Sequence, residues 1–132
     1  MATSVFLSNL TSLTVNSVSL VDQATSVTID NVYESLEKTA FGSTSRSYTA
    51  GLINNTVTMT LYNSYATSET YATLASIVGG TTTVVASVTD GAVVKTFTIT
   101  GCYLETLPVV NGSLGTLSTV DITFTGGALV TT

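Results

Sequence analysis

The chain has no histidine and no tryptophan, one cysteine, one proline and three basic residues in a length of 132. Each scarcity closes off some chemistry. Without imidazole there is no Ser-His-acid triad, no histidine base and no histidine metal ligand, which removes the commonest hydrolase designs and most zinc sites. The lone Cys102 forms no internal disulfide and leaves the redox compartment open. Its apolar neighbours make it a small buried hydrophobe rather than a reactive thiol.

Three Lys and Arg stand against eight Asp and Glu, for a net charge of −5. The positive footprint that neutralises nucleic-acid phosphates is missing, so direct DNA or RNA affinity is not expected. The acids Asp22, Asp30, Glu34, Glu37, Glu69, Asp90, Glu105 and Asp121 are scattered, with no pair in a glycosidase or calcium-loop setting. Neither an enzyme nor a metal or cofactor site is expected. Long apolar runs are lacking too. Residues 5–21 are broken by Ser, Thr or Asn every second or third position and follow no basic residue, so neither a signal peptide nor a membrane helix is expected. Asn9-Leu-Thr, Asn54-Asn-Thr and Asn111-Gly-Ser match the glycosylation pattern but carry little weight without a secretory signal.

What is present is β-forming. A third of the residues are Ser or Thr and Val is plentiful, a composition that suits half-buried pleated surfaces. The length is that of one domain, expected over 1–132 with a core over about 5–126. Sparse charge with a mean hydropathy of +0.49 argues against disorder and exposes a free monomer to association.

Alternation marks the strands. Leu13 and Val15 share a face, and Val18 and Leu20 restore it after a slip at Asn16-Ser17 that reads as a bulge or tight turn. Val27 and Ile29 form a short strand, and residues 32–40 suit either a strand or a turn of helix. Val57, Met59 and Leu61 alternate with Thr56, Thr58 and Thr60. Over 68–78 the period becomes helical through Tyr71, Leu74, Ala75 and Val78, with Thr67 or Ser68 as cap and Gly79-Gly80 as stop. Asp90-Gly91 is expected as the two-residue turn of a hairpin. Gly101 inserts a bulge that brings Cys102 and Leu104 onto the face of Phe97 and Ile99, Asn111-Gly112 marks a turn, and Val120, Ile122 and Phe124 form a final strand before a loose tail, 126–132. The sum is a mainly β protein, an antiparallel sandwich or barrel of about seven strands with one short helix.

Gly79-Gly-Thr-Thr-Thr lacks the lysine of a phosphate loop. The six tyrosines, without Trp or basic neighbours, read as amphipathic side chains at a core edge or protein interface. The run Glu37–Leu52 stands out. It holds Lys38 and Arg46, two of the three cations, with Phe41, Tyr48, Gly42 and Gly51, inside an expected long loop, 38–55. Two readings of the cations stand. They are solvated loop charges, or they pair with carboxylates of a neighbouring copy, a role for which the planar fork of Arg46 suits best.

The series Ser-Leu-Glu-Lys-Thr-Ala-Phe-Gly-Ser-Thr-Ser-Arg-Ser-Tyr-Thr-Ala-Gly-Leu (35–52), Val-Thr-Met-Thr-Leu-Tyr (57–62) and a helix resembles the major tail tube protein of long-tailed phages with flexible tails. Thr39, Phe41, Gly42, Arg46, Tyr48, Gly51 and Leu52 match in order, and the resemblance runs from about Ser26 to Gly127. It departs in its low charge and in Ser43, where an acid is common. The resemblance implies a structural virion subunit, assembled in the bacterial host cytoplasm. Its sheets join those of neighbours in a hexameric ring, and rings stack into a conduit for genome DNA, with tape-measure and tail terminator proteins as partners. It places Lys38, Thr39, Phe41, Gly42, Arg46, Tyr48, Gly51 and Leu52 in a loop between subunits, with an acidic lumen that repels phosphate. The alternatives are another self-associating virion surface or fibre module, or a carbohydrate-binding β-sandwich with tyrosines gathered on one face.

Overall fold

A computed structural model describes residues 10–90 and 93–132. Ten strands and one helix follow in the order β1 (Leu10–Val15), β2 (Val18–Ser19), β3 (Ala24–Asp30), β4 (Tyr33–Glu37), β5 (Tyr48–Ile53), β6 (Thr56–Tyr62), α1 (Thr70–Ala75), β7 (Thr81–Asp90), β8 (Val93–Leu104), β9 (Thr119–Thr125) and β10 (Ala128–Thr131). The mainly antiparallel fold with one short helix is as expected. The strand number exceeds the expected seven because β2, β4 and β10 are short or polar and carry little apolar alternation.

The main sheet runs β2-β1-β7-β8-β9-β6-β3, and β4 and β5 form a separate two-stranded sheet. Along its path the main sheet turns its two halves toward one core. Leu13, Val15, Val84, Ile99 and Cys102 come from the β1-β7-β8 half, and Val57, Met59, Leu61, Val120, Ile122 and Phe124 from β6 and β9; all are buried. Period-two alternation puts these side chains inside and their Thr neighbours outside. Each buried Leu, Ile or Phe contributes about 1.5–3 kcal/mol relative to exposure.

Two glycines allow the turn between halves. On β8, Gly101 at φ +80° is the extra residue between Thr82↔Cys102 and Thr83↔Thr100, the expected bulge. After β9, Gly126 and Gly127 have φ +79° and +90°, and a Cβ on Gly127 would lie 2.8 Å from the Thr100 carbonyl oxygen. Only glycine fits so close an approach. Past it the tail expected to be loose forms β10 on β8, from Ala128↔Thr100 to Thr131↔Phe97.

Other local expectations divide. Asn16 and Ser17, at φ 51° and 66°, make the tight turn of the β1–β2 hairpin. The β7–β8 hairpin forms, but its register pairs Asp90 with Val93, one position later than the expected turn, and the conformation of Gly91 lies outside the described residues. The Asn9 of the first glycosylation pattern lies outside them as well. The helix is shorter than 68–78 and rotated from the expected face. Thr70, Thr73, Leu74 and Ile77 are buried while Ala75 and Val78 are exposed, because the Thr70 hydroxyl donates to the Tyr62 carbonyl at 2.7 Å and fixes the first turn. Glu69, not Thr67 or Ser68, occupies the N-cap, with no side-chain cap bond. The turn expected at Asn111-Gly112 falls at Ser113–Thr116, closed by Thr116 N–H to Ser113 O at 3.1 Å, with Gly115 at φ +81°.

Candidate assembly surface

The stretch expected as a loop over 38–55 is a hairpin arm. Strand β5 returns along β4 with Glu37↔Tyr48, Leu36↔Thr49 and Ser35↔Ala50 in one register, and Tyr33↔Ile53 beyond a one-residue shift. Its backbone follows from the sequence: Leu36, Thr49 and Tyr48 favour extended structure, and Lys38 N–H donates to Ser47 O at 2.8 Å to close the strand pair. Beyond that closure a turn joins Ala40 O to Ser43 N–H at 3.2 Å, with Gly42 at φ +88°. This is the turn geometry that needs glycine at its third position. Phe41 sits at the corner, 108% exposed.

Every residue from Asp30 to Ala50 is exposed. The arm stands off the sandwich and still carries Tyr33, Leu36, Tyr48, Leu52 and Ile53 as exposed large side chains. All the residues singled out in sequence, from Lys38 to Leu52, come together on it. The Thr39 hydroxyl accepts from Ser47 N–H at 2.8 Å, and the Glu34 side chain lies over Gly51, where a Cβ would approach its Oε2 to 3.0 Å. Arg46 meets a carboxylate of its own arm, Glu37, at 3.5 Å, the one salt bridge among the described residues. An exposed pair of this kind contributes less than about 1 kcal/mol.

The root of the arm is held by a residue that sequence reasoning passed over. Asn55 is 1% exposed. Its Oδ1 accepts from Val32 N–H at 3.3 Å, its Nδ2 donates to Gly127 O at 3.2 Å, and its own carbonyl accepts from Gly126 N–H at 2.8 Å. One amide therefore ties the arm to the β9–β10 junction. The signal was available: position 55 is in phase with Val57, Met59 and Leu61, so alternation itself points Asn55 inward.

A second apolar surface was also missed. The segment 109–118 is held at both ends, by Tyr65 Oη donating to Val109 O at 2.6 Å and by Asn63 N–H donating to Ser118 O at 2.9 Å. Between these ties Val110 and Leu117 are exposed and Leu114 is 104% exposed. Tyr65 also stacks obliquely on Tyr71, at 5.2 Å between ring centres.

The outer face of β3, β6 and β9 is of another kind. Register puts Ser26, Thr28 and Asp30 beside Thr60, Thr58 and Thr56, and those beside Asp121, Thr123 and Thr125. It is a sheet of hydroxyls with two carboxylates and no cation. Tyr62 and Tyr103 lie at its opposite ends, opposite Thr119 and Thr125, about 20 Å apart at about 3.3 Å per residue. They form no common stacking platform.

A groove of about 530 Å³ opens between β3 and the β7-β8-β10 face, lined by Val27, Ile29, Val88, Phe97 and Leu129, with Asn31 and Thr131 as polar groups. It holds no acid, base or nucleophile beyond a threonine hydroxyl. Burial pushes the Cys102 thiol pKa up, and its Sγ lies 3.3 Å from Thr82 O. No group of three or more potential metal ligands occurs among the described residues, and no described helix is long and apolar enough to cross a membrane.

No family model and no curated protein matches the sequence. Solved structures do match in shape. A chain of an extracellular contractile injection system, the PVC sheath/tube terminator in its extended state, has a TM-score of 0.70 at 13% identity, covering 99% of this chain and 98% of that one. The anti-feeding prophage cap, the AFP tube terminating cap, gives 0.66 at 14% identity over 100% and 95%. The tail of an empty GTA particle, solved with C6 symmetry, gives 0.58 at 16% identity over 83% and 82%. At such identities the likeness is one of fold: this chain has the β-fold found in chains of tail-like injection and transfer particles.

Proposed function

We propose that this protein is a non-enzymatic structural subunit of a phage-like tail tube. Copies close into rings, which stack into a conduit for DNA and meet tape-measure and terminator proteins at the tube ends. The observation that carries this reading is the arm: a two-stranded hairpin, exposed over nearly its whole length, that presents aromatic and aliphatic side chains to solvent. An isolated hairpin is marginally stable in water. Apolar exposure of this kind marks a surface meant to be covered. The shared fold with tail-like particles supplies the setting, and the C6 symmetry of one of them favours a six-membered ring.

The hydroxyl and carboxylate face of β3, β6 and β9 suits the lumen. Asp30 and Asp121 repel phosphate, and the absence of Lys and Arg there leaves no counterion-releasing contact to hold passing DNA. Localisation in a virion tail follows from this role.

A second reading, favoured by the nearly complete mutual coverage with the terminator and cap chains, makes the protein a ring that ends a tube. Electron microscopy of the purified protein at high concentration separates the two. Stacked rings with a continuous lumen are expected of a tube subunit and single rings of a terminator, whereas a monomer that never associates would overturn both.

A further inference from the structure

We infer that the groove between β3 and the β7-β8-β10 face is filled by the same chain's residues 5–7, with the Phe6 side chain seated in it. This packing belongs to the single chain and holds whether or not copies form a tube. Residues 1–9 lie outside the described residues, but the groove and the place where they join it do not.

Register puts the groove at one end of the sandwich. Leu10 opens β1 opposite Val88, Ile29 stands one residue before the end of β3, and Thr131 closes β10 opposite Phe97. The inward series of β7 is Val84, Ala86 and Val88, and its small middle member leaves room beside Val27 and Ile29. Leu10, Val27, Ile29, Val88, Phe97 and Leu129 line that room and are only half-buried, whereas Leu13, Val57, Met59 and Val84 further in are fully buried. Protein interiors leave few gaps larger than a water molecule, so an apolar space of about 530 Å³ against the core calls for an occupant.

The preceding chain starts at the mouth of that space, because Leu10 is itself part of the lining. Val5-Phe6-Leu7 is a run of three large apolar residues, and the core expected from about residue 5 includes it. Phe6 is four residues from Leu10, a reach of about 13 Å at about 3.3 Å per residue. A phenylalanine ring gains most from the move, since an aromatic side chain buries about 150–250 Å². The short tether makes the event intramolecular, with an effective concentration in the millimolar range that a separate molecule rarely matches.

Charge favours the same occupant. Residues 1–9 carry no charged side chain, and the groove's polar groups, Asn31 and Thr131, are neutral, so seating the segment strips water from no ionised side chain. The arm leaves from this end too, through Asn31 and Val32, but it brings Glu34, Glu37, Lys38 and Arg46 and is engaged in its own β4–β5 pairing.

Stability and dye binding of the full-length chain, at a concentration below that of assembly, test the packing. Phe6→Ala should lower the folding equilibrium constant in urea titrations about tenfold or more, equivalent to 1.4 kcal/mol. It should also raise the fluorescence of 8-anilinonaphthalene-1-sulfonate, a dye that binds exposed apolar surface, while Phe6→Leu stays near the parent in both. Combined with Ile29→Ala, the two losses should fall short of their product by about fivefold or more, and by the same factor when protein concentration is raised about tenfold. A neutral Phe6→Ala, losses that multiply in full, or a dye signal equally strong in the parent would overturn the inference. So would a coupling that grows with concentration, the mark of a second copy's segment in the groove. Whether rings or tubes form at higher concentration bears only on the tube reading.

Discussion

Two strand pairs of similar size, β6 with β9 and β4 with β5, behave in opposite ways. Both are antiparallel and in register over most of their length. In the first, every second side chain is buried, and Val57, Met59, Leu61, Val120, Ile122 and Phe124 fill the core. In the second, nearly every residue is exposed, apolar ones included. Backbone pairing is the same in both, so burial decides the difference. The first pair has its partner layer within the chain. Among the described residues the second has no such layer, and Asn55 ties its root to the sandwich.

Substitutions that act on one pair and not the other sharpen this contrast. The largest effect is expected in the sandwich: Phe124→Ala removes a fully buried ring and should cost about 3–5 kcal/mol, read as a lower denaturation midpoint in urea. Gly127→Ala comes next. Its Cβ meets the Thr100 carbonyl and the Cys102 amide, at a φ that alanine tolerates poorly, for a loss of about 1–3 kcal/mol. Asn55→Ala probes the joint between the regions. It leaves the Val32 amide and the Gly127 carbonyl without their partner, and should cost about 1–3 kcal/mol while hydrogen exchange at Val32 speeds up.

On the arm itself the effects on folding shrink. Glu37→Gln releases Arg46 from an exposed pair and should change stability by less than about 1 kcal/mol, a difference that fades with added salt. Phe41→Ala should leave the urea midpoint within about 0.5 kcal/mol of the parent, yet abolish rings or tubes in the electron microscope. A large stability loss there would mean that Phe41 serves the fold, and the contrast between the regions would fail.

The sandwich was legible in sequence because its strands alternate cleanly: Val57, Met59 and Leu61, and Val120, Ile122 and Phe124, occupy the core as their spacing requires. Bulge and turn residues were legible where geometry demands them, at Gly101 and Asn16-Ser17. In the arm, residues 32–40 suit either a strand or a turn of helix and 38–55 reads as loop, because β4 and β5 bury no face and so carry no burial period. Asn55 went unnoticed for a related reason. A polar residue continuing an apolar phase looks like the end of a strand, whereas here its amide satisfies buried backbone groups. The 109–118 surface gives no periodic signal, since tethers from Asn63 and Tyr65 hold it rather than a sheet.

The central claim is that the arm is completed by another copy. Hydrogen exchange measured by mass spectrometry on free and assembled protein tests it most directly. Amides of 33–53 should exchange fast in the free protein and become strongly protected on assembly, while those of β6 and β9 stay protected throughout. Arm amides that exchange equally fast in the assembled state would contradict it.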